Sequence, residues 1–172
     1  MRELIAIDRD VRDARDERGL SPVLAAKYVG QNGIAEILAG VGPVDVFDAA
    51  ATGRVQELRV ILRQVPESAA LRSSDGFTAL HYAAFFADGP TVEVLLAAGA
   101  DPAAVAENPM RVQPLHSAAA SRNVEGARLL LGAGADANAE QQDGFVPLDA
   151  AVQNGDEAMQ ELLRAYGAHA SR

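Results

Sequence analysis

The sequence predicts an all-α solenoid: about five helix-turn-helix units stacked in a row, joined by short hairpin loops, with the first unit partial. Three observations predict it. A phrase recurs at Thr78-Ala79-Leu80-His81-Tyr82-Ala83-Ala84, Gln113-Pro114-Leu115-His116-Ser117-Ala118-Ala119 and Val146-Pro147-Leu148-Asp149-Ala150-Ala151-Val152, its leucines 35 and 33 residues apart. A period of that size marks units that cannot bury their apolar faces alone and are completed by their neighbours. Each phrase is followed by a second segment whose Leu and Val residues fall three and four apart, one stripe on a helical face. Each second segment then ends at glycine, in Gly99-Ala100-Asp101, Gly134-Ala135-Asp136 and Gly167-Ala168-His169, where helices commonly close in a left-handed residue.

The units follow in order. Residues 1–10 are expected to form an N-terminal cap, with Leu4, Ile5 and Ile7 folded back over the first unit. Unit one, about 11–40, pairs Ser21-Pro22-Val23-Leu24-Ala25-Ala26 with Ile34 to Ala39. Unit two, about 41–72, pairs Val46-Phe47-Asp48-Ala49-Ala50-Ala51 with Arg54 to Leu62. Val23 and Val46 share a column with Leu80 yet stand only 23 residues apart. The link at Gly40-Val41-Gly42-Pro43 therefore lacks an extended hairpin, and a notch is expected there. The second helices of units three to five, about 73–106, 107–140 and 141–172, are Thr91 to Ala98, Val124 to Gly132 and Asp156 to Ala165. The last one turns Met159, Leu162 and Leu163 inward beneath a charged outer face, as a terminal cap requires.

Polar links separate the units. Arg72-Ser73-Ser74-Asp75-Gly76 and Asp136 to Gly144 both end in Asp-Gly, the chemistry of a tight hairpin. With the Asp-Gly-x-Thr-x-Leu-His-x-Ala-Ala phrase, the short second helix and the Gly-Ala-Asp stop, residues 73–168 resemble the ankyrin repeat family. The resemblance implies that His81 and His116 hydrogen-bond the backbone of the neighbouring loop. It also implies that partners bind a concave face made of hairpin tips and first helices.

Composition narrows the function. Hydrophobic residues make up 49% of the 172 and aromatics only 5%, which suits thin helices packed closely through Ala, Leu, Val and Ile. The net charge of -9, with a pI near 4.7 and a single lysine, Lys27, lacks the basic footprint that phosphate contacts require. No nucleic acid and no membrane partner is expected. The absence of Cys removes disulfides, thiolate catalysis and Cys-based metal sites. The charged opening lacks a signal-peptide core, and no apolar run reaches spanning length. A cytoplasmic protein is expected, and the Arg-rich, Lys-poor usage points to a GC-rich bacterial genome.

No residue is singled out as catalytic, metal-binding or cofactor-binding. His81 and His116 recur at the structural period, the mark of a scaffold role, and His169 replaces a stop-position Asp. No serine sits in a Gly-x-Ser-x-Gly elbow. Gly132-Ala133-Gly134 lacks the strand and the Lys-Ser/Thr of a phosphate loop. The 24 carboxylates fall mostly on loops and outer helix faces, where solvated charge is ordinary.

The positions expected to meet a partner are those that break the polar rule of the concave columns. Leu20, Pro43, Phe77, Val112 and Phe145 follow the hairpin glycine or its equivalent. Phe85 and Phe86 follow the Ala-Ala pair of unit three, and Tyr28 occupies that place in unit one. Phe47 is assigned to a buried column. Aromatics supply large contact area and are enriched among residues that dominate binding energy. The rival account is that they fill space beside small neighbours. Asp75, Asp143, Glu107, Asp16 and Glu17 are expected to form an acidic rim favouring a basic partner. The longer fourth finger adds Met110 and Arg111. These residues predict a non-enzymatic, monomeric module that binds a protein or peptide. The alternatives are self-association through the N-terminal end and a carboxylate-based hydrolase or small-ligand binder.

Overall fold

The computed structural model describes residues 14–171, which hold ten α-helices and no named strand. The expectation for residues 1–10 lies outside the described residues. The helices are α1 (Pro22–Tyr28), α2 (Asn32–Gly40), α3 (Val46–Ala51), α4 (Val55–Gln64), α5 (Ala79–Phe86), α6 (Gly89–Ala97), α7 (Pro114–Ser121), α8 (Val124–Gly132), α9 (Pro147–Gln153) and α10 (Glu157–Ala165). They form five antiparallel pairs. Odd-numbered helices pack on one another in chain order, and from α4 onward so do the even-numbered ones, giving two parallel layers.

Local sequence chemistry sets the helix starts. Ser21, Asp45, Asp88, Asn123 and Asp156 each cap a helix by accepting backbone N–H groups within its first turn, as from Leu24 at 3.1 Å and Asp48 at 2.8 Å. Pro22, Pro114 and Pro147 open helices where no intrahelical donor is needed. Gly99, Gly134 and Gly167 all have positive φ just past a second helix, which stops it and returns the chain to the loop side.

The core runs the length of the stack. Val23, Val46, Leu80, Leu115 and Leu148 share one column and are all buried. The facing column holds Leu58, Leu62, Val92, Leu95, Leu130, Leu131, Met159 and Leu163. Alanines at 49–51, 83–84 and 118–119 are nearly inaccessible and allow the first helices to approach closely. Truncating Leu80 or Leu115 would cost about 2–5 kcal/mol, because a packed interior leaves the cavity unfilled.

The link between units one and two differs from the others. Residues 41–45 join α2 to α3 without a projecting finger, leaving a depression of about 370 Å³ beside Gly42, Pro43, Val44, Val60 and Ile61. The shortened 23-residue spacing thus appears as a notch. Farther along, true fingers form. Ser73 N–H bonds the Phe77 carbonyl at 2.9 Å, Ala106 N–H the Val112 carbonyl at 2.8 Å, and Gln141 N–H the Phe145 carbonyl at 2.9 Å. Gly76 turns the third finger at φ +83, and a Cβ there would lie 2.4 Å from the Glu107 carbonyl oxygen. Only glycine permits the two fingers to come this close.

Candidate binding surface

The fourth and fifth fingers are each tied to the first helix of the preceding unit by a histidine. His81 Nε2 donates to the Val112 carbonyl at 3.1 Å, while its Nδ1 accepts from Thr78 N–H at 3.2 Å. A carbonyl can only accept, so the ring is the Nε2–H tautomer. His116 repeats this with the Phe145 carbonyl at 3.3 Å and Gln113 N–H at 3.1 Å. Burial draws the pKa of His81 down to about 4 and lowers that of His116. In the last unit Asp149 takes the column, accepting Val146 N–H at 2.9 Å and Ser171 N–H at 3.1 Å.

These ties hold a cleft open on the side of the first helices. It measures about 360 Å³, with α5 on one wall, α7 on the other and the fourth finger above. Phe77, Tyr82, Phe85 and Phe86 supply one side; Met110, Val112, Ser117 and Ala120 supply the other; Tyr28 and Gln141 stand at the ends. Among the described residues no carboxylate lines it.

The aromatic residues form a connected array. Tyr28 meets Phe86 edge to face at 5.5 Å, Phe85 meets Phe86 at 4.8 Å, and Phe77 meets Tyr82 at 5.9 Å. Such contacts add to area burial and fix the rings against one another. Tyr82 sits at the centre, and its hydroxyl donates to Asp75 Oδ1 at 2.5 Å. Beneath the array, the Lys27 ammonium lies 5.4 Å from the Phe86 ring centroid and within 3.5 Å of its carbonyl. Burial lowers the Lys27 pKa against the attraction of Glu36.

The sequence-selected residues do not all converge. Tyr28, Phe77, Phe85, Phe86, Met110 and Val112 line the cleft, with Phe85 and Met110 the most open, at 43% and 51% exposure. Phe77 and Phe86 are half-buried and also pack on the core, so for them partner-facing and space-filling are two sides of one ring. Val112 is only 8% exposed, because its carbonyl must point to His81 and its side chain falls inward. Leu20 was expected in an exposed column but is buried in the core, where the turn closed by Asp16 brings it against α1. Phe47, expected to be buried, is half-buried and meets Tyr82 edge to face at 6.0 Å. Phe145 and Asp143 sit on the next finger, outside the cleft, and Arg111 lines a separate shallow surface with Arg72, Glu107 and Gln142.

The expected acidic rim is largely spoken for. Asp75 accepts hydroxyl groups from Tyr28 at 2.6 Å, from Tyr82 and from Ser73. Glu107 pairs with Arg72 at 2.9 Å, and Asp16 with Arg18 at 2.9 Å. Asp143 and Glu17 remain as exposed acids at the finger side. His81, Tyr82, His116, Ser117, Ala120 and Gln141 belong to the cleft without having been selected from the sequence as binding residues. The recurring column that holds Tyr82 and Ser117 was the available signal for two of them.

The family profile "Ankyrin repeat" matches residues 75–107, and "Ankyrin repeats (many copies)" matches residues 115–164. The chain belongs to the ankyrin repeat family. It is similar to Ankyrin repeat and SOCS box protein 16 of Mus musculus, with 38% identity over 61% of this chain and 24% of the relative. It is also similar to E3 ubiquitin-protein ligase KEG of Arabidopsis thaliana, 41% identical over 44% of this chain and 5% of the relative. Tyrosine-protein kinase Shark of Drosophila melanogaster is 38% identical over 55% of this chain and 10% of the relative. The chain thus spans a quarter or less of these relatives. Ankyrin repeats generally mediate protein-protein interaction, and no helix among the described residues is long and apolar enough to cross a membrane.

Proposed function

We propose that this chain is a non-catalytic binding module that holds an apolar segment of a protein partner in the concave cleft between α5 and α7. The carrying observation is the open cleft itself, walled by Phe77, Phe85 and Phe86 and roofed by Met110. Soluble monomers seldom leave clustered large apolar groups in contact with water, and such clusters mark interaction sites. Because the nearby acids are paired within the chain, shape and apolar contact supply the affinity, and a basic partner gains only from Asp143, Glu17 and the overall charge. The cytoplasm is the compartment this reading assigns.

The test is capture of a partner by the native chain against a Phe85→Ser, Met110→Ser variant. Both side chains are exposed, so the variant keeps the core that a change at Phe77 or Phe86 would disturb. Loss of the captured protein supports the reading, and unchanged capture contradicts it.

One observation favours a second reading. Val29, Ile34 and Ile37 on the outermost unit are 70%, 50% and 53% exposed. That edge would serve self-association if residues 1–10 leave it uncovered.

A further inference from the structure

In a repeat stack each unit contacts only its neighbours. Unit one breaks that rule. Tyr28, at the end of α1, meets Phe86 edge to face at 5.5 Å and Tyr82 at 6.4 Å, and its hydroxyl bonds Asp75 on the third finger. Lys27, only 9% exposed, lies 5.4 Å from the Phe86 ring centroid and donates to the Phe86 carbonyl at 3.5 Å. Gly19 comes so near the third finger that a Cβ there would stand 2.9 Å from Ser74 Cβ. These contacts pass over unit two and land on unit three.

Two features of unit two leave the passage open. Counted from Val46 and Leu80, it carries Ala51 and Thr52 where unit three has Phe85 and Phe86, so no large side chain rises in those columns between α1 and α5. Residues 41–45 also join α2 to α3 without a finger, and the finger that would separate Tyr28 from Asp75 is missing.

The same short link weakens the seat of unit one. Val23, Ala26, Ala35 and Ala39 form a small apolar cluster apart from the main core, and the packed layer of second helices begins only at α4. Leu20 and Leu24 enter the main core, the Ser21 hydroxyl bonds Asp48, and Arg54 donates to the Ala39 carbonyl at 3.0 Å. The contacts to unit three add to this limited attachment. Phe86 is where they meet the cleft, because it lines the cleft and also receives Lys27 and Tyr28.

We infer that Lys27 and Tyr28 are positioning residues for the cleft: from unit one they hold the Phe86 wall, so that an occupant of the cleft and the seating of unit one stabilise each other. The inference rests on the concave cleft being the binding face. Linkage makes the effect reciprocal, since whatever the seated unit contributes to holding an occupant, the occupant contributes equally to the seat. An element with few buried apolar attachments opens locally at less cost than global unfolding, which makes its seating readable in amide exchange.

Native-state hydrogen exchange of the full chain, with toluene as the apolar probe, tests this. The double variant Lys27→Met, Tyr28→Phe keeps the bulk of both side chains and removes the ammonium and the hydroxyl. Exchange of the amides at 83–87 should quicken about fivefold, the ratio one net hydrogen bond supplies, while α3, which lies between, changes less. Global stability is not the readout, because the same variant also relieves the desolvation of Lys27. In the native chain toluene should shift the amides of Phe85 and Val112 and slow exchange in α1 and α2. In the variant that slowing should be lost at toluene concentrations giving the same amide shifts. Exchange that quickens in α3 as much as in α5, or toluene that binds the native chain without slowing α1 and α2, overturns the inference and leaves the binding face standing. Toluene that shifts no cleft amide overturns the inference together with the proposed face.

Discussion

The hydroxyl of Tyr28 donates to Asp75 Oδ2 at 2.6 Å across 47 residues of sequence, joining the first unit to the third finger over the top of the second. The same carboxylate accepts Tyr82 and Ser73, so one acid fixes the end of the cleft. Burial, together with the neighbouring Asp75, raises the pKa of both tyrosines, which keeps their hydroxyls protonated as donors.

Asp75→Ala should therefore destabilise the chain by about 2–3 kcal/mol, since it removes the charged acceptor shared by three hydroxyls and leaves the Tyr82 hydroxyl only Ser73 Oγ, at 2.9 Å. Tyr28→Phe, which removes one partly exposed donor and leaves Asp75 two others, should cost about 1 kcal/mol or less. Urea unfolding of the two variants measures both, and equal losses would contradict the hub role of Asp75.

Asp48 sits at the junction of α1 and α3 with its Oδ1 accepting the Ser21 hydroxyl at 2.5 Å. Burial, reinforced by Asp45, pushes its carboxyl up to about 6. A carboxyl raised in the folded state stabilises fully below its ordinary value, and that stability is lost as pH rises from about 4 through 6. Asp48→Asn keeps an acceptor for Ser21 without the charge. It should gain about 1–3 kcal/mol at pH 7 and nothing at pH 3.5, as read from denaturant midpoints at the two pH values.

His81 runs the other way. Its folded pKa is drawn down to about 4 by burial, so its stabilising contribution is present above 6.5 and is lost as pH falls toward 4. The two groups oppose each other between pH 4 and 6, each by roughly 3 kcal/mol at most. Wild-type stability across that window should be nearly flat in this respect. Asp48→Asn should expose a slope that rises with pH, and His81→Gln one that falls. Matching slopes in both variants would contradict the assignment.

Gly76→Ala should lower stability by at least about 2 kcal/mol, because positive φ and the Glu107 carbonyl both exclude a side chain. The loss should come with faster amide exchange across residues 106–112, the finger that Gly76 supports. Exchange unchanged there would separate the two fingers mechanically.

If the outer edge at Val29, Ile34 and Ile37 joins copies of the chain, sedimentation should show mass rising with concentration, and Ile34→Glu, Ile37→Glu should abolish the rise. A constant monomer mass over the whole range would set self-association aside.

The fold was legible because repetition amplifies weak signals. One Leu-His-x-Ala-Ala phrase is ambiguous, but Leu80, Leu115 and Leu148 at nearly equal spacing specify a stack, and the shortened Val23 to Val46 interval specifies its notch. The candidate site was only half legible. Phe85 and Met110 emerge from column reasoning because exposure follows helix phase and loop position. For Val112 and Leu20 the same reasoning misjudges exposure, since the direction of each side chain depends on a backbone hydrogen bond made elsewhere, to His81 and through Asp16 respectively. Asp75 looked like a free rim charge. Only the three-dimensional meeting of Tyr28, Tyr82 and Ser73 reveals it as an internal acceptor.

The central claim is that binding occurs on the first-helix side, around Phe85 and Met110. Hydrogen-deuterium exchange of the chain with and without its captured partner tests this most directly. The account predicts new protection in residues 82–86, 108–112 and 117–121, with the second helices α6 and α8 unchanged. Protection confined to α6 and α8, or to the outer unit around Ile34, would contradict it.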